Sequence, residues 1–207
     1  MRGRRRILVA TTNPGKLAEI RQMLGGDIEW VGLSDFKSIA EIKEDGLTFA
    51  ENARKKALGY AKATGLWTIA DDSGLVIDAL GGKPGIESAR FSGAKDKDRT
   101  LLDHKNMAKV LKLLKGVPKE KRTAKFVCCL CLASPEKVLI ETDGTVEGFI
   151  MEVEIGENGF GYDPIFFVPE LNKTVAQLTA DEKNAISHRG NALRKLKPLL
   201  AKILKGV

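Results

Sequence analysis

Aromatic residues make up only 6% of this 207-residue chain, and His104 and His188 are its only histidines. The three cysteines, Cys128, Cys129 and Cys131, all lie in one apolar run from Phe126 to Leu132. Cys128 and Cys131 have the spacing of a C-x-x-C. Positions three apart on a strand face opposite sides, however, and no further Cys or His pair stands nearby to complete a zinc site. The thiols therefore read as small buried hydrophobes of a reducing compartment. No apolar run approaches the roughly 18 residues of a membrane span. The basic start, Met1-Arg2-Gly3-Arg4-Arg5-Arg6, is followed by only Ile7-Leu8-Val9-Ala10, too short for the apolar core of a signal peptide. A cytoplasmic protein that does not engage a membrane is expected. Internal repeats, low-complexity segments and an evident linker are also missing.

What is present is an ordinary globular composition, 43% hydrophobic and 29% charged. The length suits one domain over residues 1–207, or two small lobes sharing a core. The net charge of +7 implies attraction to polyanions such as nucleic acid, anionic surfaces or phosphorylated small molecules. Much of that charge lies on the outer faces of helical patterns. In Leu193 to Lys205, apolar residues recur at helical spacing while lysines fill the other face, and Met107 to Lys115 behaves alike.

Ile7–Ala10 reads as a buried strand, Thr11 to Gly15 as a turn, and Lys16 to Leu24 as a helix. Thr48 and Glu51 form a capping box opening an alanine-rich helix that stops at Gly65. Trp67–Ala70 and Leu75–Leu80 read as strands on either side of an Asp71-Asp72-Ser73-Gly74 corner. A helix spans about Arg99 to Lys115. Strands follow at Thr123–Ala133, Lys137–Thr142 and Thr145–Glu154, then a loop from Gly156 to Pro169. Thr179 and Glu182 form a second capping box before the C-terminal amphipathic helix. A mixed α/β sheet flanked by helices is predicted.

Chemistry concentrates in four segments. Asp71-Asp72-Ser73-Gly74 interrupts β-branched sequence with adjacent carboxylates. Successive strand residues point to opposite faces, so the two aspartates cannot share one core. Burying such charge requires cations or donors, and Mg²⁺ is the natural candidate; a surface turn explains the same residues equally well. Thr11, Asn13 and Lys16 lie where a strand passes into a helix N-terminus, either an anion site or an ordinary turn. Lys56 lies one helical turn beyond Asn52 and on its face, while Glu44 stands in the preceding loop where nothing structural requires it. In the fourth segment, Phe160, Tyr162, Phe166 and Phe167 cluster beside Gly159 and Gly161, more aromatics than core packing demands, and suggest a platform for a flat base. Asp163, Lys183, His188 and Arg189 continue this segment.

Five co-linear motifs now carry a resemblance: Thr11-x-Asn13-x-x-Lys16, Asp71 to Leu75, Pro84-Gly85-Ile86-x-Ser88-Ala89-Arg90, Phe160 to Pro164, and Ser187 to Gly190. Together the chain resembles the inosine triphosphate pyrophosphatase family, from Thr11 into the C-terminal helix. The resemblance implies a mixed α/β fold with two lobes and a cleft between them, a homodimer, and Mg²⁺ dependence. It implies hydrolysis of ITP, dITP and XTP to the monophosphate and pyrophosphate. It assigns Asp72 as general base and metal ligand, and Glu44 as the second metal carboxylate. Lys16 and Lys56, with Thr11 and Asn13, become triphosphate contacts, and Ser73 a substrate contact. Phe160, Gly161, Tyr162, Asp163, Lys183, His188 and Arg189 become the base pocket.

The residue chemistry agrees with that assignment. Triphosphates need several cations, and hypoxanthine and xanthine present an acceptor O6 where adenine presents a donor. Two rivals make different predictions. A basic nucleic-acid-binding protein needs aromatics interleaved with surface cations and a docking element, neither of which the sequence displays. A phosphatase acting at the γ position would release inorganic phosphate instead of pyrophosphate.

Overall fold

A computed structural model describes residues 4–26, 28–36 and 38–206, so the first three residues of the basic start lie outside it. The chain divides into two compact units. The first comprises residues 1–72, 128–144 and 188–207, and the second residues 73–127 and 145–187.

In the first unit, β1 (Arg5–Val9) pairs in parallel with β2 (Ile28–Gly32) and with β3 (Trp67–Ile77). Strand alternation sorts the side chains onto two faces. Ile7, Val9 and Ile69 join Ile20 and Leu24 of α1 (Pro14–Leu24) and Leu193, Leu196 and Leu200 of α5 (His188–Lys205) in one core. Leu8, Ala10 and Ala70 join Ala53, Ala57 and Tyr60 of α2 (Phe49–Thr64) in another. Helices thus cover both sides of this part of the sheet. α2 begins at Thr48, whose hydroxyl accepts the Glu51 N–H, and ends at Gly65 in the left-handed region (φ 71°). The Glu51 carboxylate accepts from Leu47 N–H rather than from Thr48, so only half of the predicted capping box forms.

The second unit packs Leu75 and Ile77 of β3 with Met107 and Val110 of α3 (Arg99–Leu113), Phe126 of β4 (Thr123–Ala133) and Ile150 of β5 (Val138–Ile150). β5 pairs antiparallel with β6 (Phe166–Val168), which pairs antiparallel with β7 (Lys173–Thr174). Arg122, 3% exposed, donates to the carbonyls of Leu114, Ile150 and Met151 and satisfies the backbone where α3 and β5 end. The Thr179–Glu182 capping box forms in full at the start of α4 (Ala180–Ile186).

Among the described residues the strand order is β2-β1-β3-β4-β5-β6-β7, a mixed sheet as predicted. Two sequence readings are corrected. The Asp71–Gly74 segment is not a corner, since β3 runs unbroken from Trp67 to Ile77. Turn propensity yields there because each carboxylate meets partners on its own face. Lys137–Thr142 and Thr145–Glu154 are likewise not separate strands but belong largely to the single strand β5. Asp143-Gly144 looked like a break, yet Gly144 is needed in the strand: a Cβ there would sit 2.2 Å from the His188 carbonyl.

Candidate active site

β3 alternation decides where the two aspartates go. Asp71 follows Ile69 onto the α1/α5 face, and Asp72 follows Ala70 onto the α2 face. Asp71, 2% exposed, meets Lys16 Nζ at 2.9 Å and Arg189 Nη2 at 3.0 Å. Burial alone would raise its pKa, but Lys16, Arg189 and Lys56 outweigh that and hold it far below the ordinary carboxylate range.

Asp72 has a different environment. Asn52 Nδ2 donates to its Oδ2 at 3.0 Å, while Lys56 Nζ stands 3.9 Å from its Oδ1. Burial raises the Asp72 pKa; Lys56 and the Asn52 amide oppose this, and the Glu44 charge adds to it. Lys56 Nζ also reaches Glu44 Oε2 at 3.1 Å, so one ammonium stands between two carboxylates. Burial would lower the Lys56 pKa, yet Asp71, Asp72 and Glu44 reverse the sign and raise it. The mutual repulsion of Asp72 and Glu44 is what a divalent cation relieves. No group of three or more potential ligands occurs among the described residues. A carboxylate pair that leaves other positions to water and phosphate suits a hard, oxygen-seeking dication.

Thr11, Asn13 and Lys16 lie beside one another at the β1–α1 junction. Asn13 is the N-cap of α1: its Oδ1 accepts from Gly15 N–H at 2.9 Å and Lys16 N–H at 3.2 Å. Its own N–H donates to Thr11 Oγ1. These helix-start donors are engaged by the cap, which leaves the Lys16 ammonium as the main cationic feature of the loop. His188 and Arg189, buried at the first turn of α5, belong to this same unit. Arg189 is 1% exposed and is held by Asp71 and by Glu19, the latter at 2.5 Å. Its guanidinium thus sits with the Asp71 group.

The second unit holds Ser73, half-buried on β3, and the glycine-rich segment. Asp163 Oδ2 accepts from Phe160 N–H at 2.9 Å and from Lys183 Nζ at 2.7 Å. The Lys183 ammonium lies 4.2 Å from the centre of the Phe160 ring. Gly159 is required here, because a Cβ would overlap Asp163 Oδ2, and its φ is +81°. Gly161 N–H donates to Asp103. The aromatic cluster is corrected in part. Tyr162 and Phe166 are core residues, with the Tyr162 hydroxyl donating to Ser88 carbonyl and the Phe166 ring 4.4 Å from Phe126. Phe160 and Phe167 are half-buried; Phe167 is a β6 residue opposite Phe149 and Thr174, and Phe160 lies beside polar groups.

Comparison with known proteins adds an independent line. The Ham1 family model matches residues 7–199. The chain belongs to the Ham1 family. A dITP/XTP pyrophosphatase of Bacillus cereus is 50% identical over 199 residues, 95% of either chain. The structure of the Staphylococcus aureus Ham1 protein superposes with a TM-score of 0.83 at 40% identity, covering 96% of this chain and 99% of that one. A HAM1 protein from Coxiella burnetii gives 0.84 at 41% identity, with the same coverage.

Within this Ham1 chain the sequence reading missed three contributors. Asn52 accepts from Gly46 N–H at 2.8 Å while donating to Asp72, which fixes the carboxylate's orientation. Its signal was an asparagine inside a helix, a poor helix former, one turn before Lys56. Asp103 and Glu19 carry no sequence motif of their own, and only their long-range partners, Gly161 and Arg189, distinguish them. Cys128 and Cys131 are buried as predicted, whereas Cys129 is half-buried; burial raises all three thiols, Cys129 to about 11 and Cys131 to about 12, which disfavours the reactive thiolate.

Proposed function

We propose that this chain is a Mg²⁺-dependent hydrolase converting dITP, ITP and XTP to the monophosphate and pyrophosphate. The observation that carries the reading is the Asp72–Lys56–Glu44 group, an oriented carboxylate sharing one ammonium with a second acid. Asp72, its carboxylate oriented by the Asn52 amide, accepts the proton of the attacking water. Asn52 holds one oxygen of Asp72 and leaves the other toward Lys56. Lys56 and Lys16 pair with phosphate oxygens and stabilise charge as the anhydride breaks. Asp72 and Glu44 would hold Mg²⁺, which supplies charge neutralisation and a more acidic water.

The half-buried Phe160 ring and the Lys183 donor, fixed by Asp163, serve the base, with Gly161 beside them. A donor facing O6 favours the oxo bases over adenine, because adenine would leave donors opposed. The relatives' printed activity, dITP/XTP pyrophosphatase, supports the same substrates. A homodimer and a cytoplasmic location belong to this proposal too. They are supported by the motif resemblance and by the cytoplasmic nucleotide pool on which the activity would act. No helix among the described residues is long and apolar enough to cross a membrane.

The test is a substrate panel of dITP, XTP, ITP, GTP and ATP with Mg²⁺, with products separated by anion-exchange chromatography. Pyrophosphate and monophosphate, with kcat/KM far higher for the deaminated bases than for ATP, are expected. Release of inorganic phosphate and diphosphate, or equal kcat/KM for ATP, overturns the reading. Equilibrium sedimentation tests the dimer, and a monomer at micromolar concentration contradicts it.

A further inference from the structure

A single carboxylate oxygen of Asp71 serves two cations, Lys16 Nζ at 2.9 Å and Arg189 Nη2 at 3.0 Å. Asp71 and Arg189 are nearly sealed from solvent, with side chains each 1% exposed, whereas the Lys16 side chain keeps 18% of its surface open. Arg189 is secured in turn by Glu19 from α1, so the chain Glu19–Arg189–Asp71 ties the helix carrying Lys16 to β3 and α5. Asp71 and Asp72 point to opposite faces of the strand, so the charge of Asp71 reaches the Asp72 side only through the field it exerts on Lys56.

Lysine is a flexible stem ending in three donors. Left alone, Lys16 would sample many rotamers, and ordering it would oppose ligand binding. Asp71 takes one donor on a buried anchor that is itself tied to Arg189, leaving the open edge of the ammonium to a ligand. We propose that Asp71 is a positioning residue that holds Lys16 ready for the substrate's phosphates. This rests on the reading of Lys16 as a triphosphate contact. Arg189, by fixing Asp71, belongs to the same device.

The experiment measures KM and kcat for ITP with Mg²⁺ in the wild type, Asp71→Asn, Asp71→Glu, Lys16→Met and the double variant Lys16→Met with Asp71→Asn. Asp71→Glu keeps the charge that neutralises Arg189 but shifts the anchor by a methylene, so it reports position rather than charge. Expected is a KM raised about tenfold or more in each Asp71 variant with kcat within about threefold, the pattern of lost ground-state and transition-state binding alike. The double variant should be no worse than Lys16→Met alone, because Asp71 acts through that ammonium. An unchanged KM in a folded Asp71 variant, or full additivity in the double variant, overturns the proposal. A wild type that does not hydrolyse ITP instead removes the underlying functional reading, so the two failures are distinguishable. Where an Asp71 variant does not fold, the lysine ammonium NMR signals of the wild type decide. A slowly exchanging Lys16 signal in the free protein supports the held ammonium, and its absence contradicts it.

Discussion

Replacing Lys56 with methionine removes a charge while keeping the length and most of the volume of the side chain. In the wild type its ammonium is 3.1 Å from Glu44 Oε2 and 3.9 Å from Asp72 Oδ1. Removing one partner of a fully buried pair costs about 3–5 kcal/mol. Here the Glu44 side chain is 35% exposed and the Asp72 contact is long, so water screens part of the loss and about 1–3 kcal/mol is expected. The pH dependence follows from the signs. Lys56 is raised above its ordinary 10.5, so its contribution is complete below that value and is lost only as pH rises through the higher folded value. Asp72 is raised above 3.8, so its ionised form weakens the fold above that pH, and without Lys56 this penalty grows. Urea unfolding of Lys56→Met should therefore show a deficit near neutral pH that shrinks as the medium is acidified through the range where Asp72 protonates. In catalysis, a lost charge-assisted phosphate contact of about 1.5–3 kcal/mol lowers kcat/KM for ITP by roughly 10- to 150-fold. A Lys56→Met protein as stable as wild type at neutral pH, with undiminished kcat/KM, would refute the reasoning.

Millimolar Mg²⁺ should raise the melting temperature of the wild type, by the equivalent of about 2.7 kcal/mol at a hundredfold excess over Kd, and should leave Asp72→Asn unmoved in differential scanning fluorimetry. Gly46→Ala places a Cβ 2.7 Å from Asn52 Oδ1 and so displaces the amide that orients Asp72. Its kcat/KM should fall by about tenfold while circular dichroism stays native. Lys183→Met leaves the buried Asp163 carboxylate without its 2.7 Å ammonium, and should lower unfolding free energy by about 3–5 kcal/mol in a urea titration.

Apolar periodicity located the first strand and the amphipathic C-terminal helix, and cap and stop residues located α2; the Thr179–Glu182 box, read as opening the C-terminal helix, instead opens the separate short helix α4. The paired aspartates were legible as chemistry but not as strand. Asp-Asp-Ser-Gly has turn propensity, and the cations that keep it extended, Lys16, Lys56 and Arg189, come from distant parts of the chain. Alternation nevertheless foretold that Asp71 and Asp72 would part, and the structure sends them to separate helices. Gly144 was read as a break for the converse reason: only the approach of His188 shows why a strand needs a glycine there. The aromatic segment misled because Tyr162 and Phe166 face a core whose other half, Phe126 and Met107, lies well before them in the sequence. Asn52 stayed hidden because its two bonds, to Gly46 and Asp72, are tertiary.

The central claim is that Asp72 performs the hydrolysis and that the bond broken lies between the α and β phosphorus atoms. Wild type and Asp72→Asn, compared with dITP and Mg²⁺ by ³¹P NMR, test both parts together. Asp72→Asn changes charge with almost no change of volume, and its fold can be checked by melting temperature. The account predicts dIMP and pyrophosphate in equal amounts from the wild type, and neither from a folded Asp72→Asn. Near-wild-type turnover by Asp72→Asn, or dIDP with inorganic phosphate from the wild type, would contradict it.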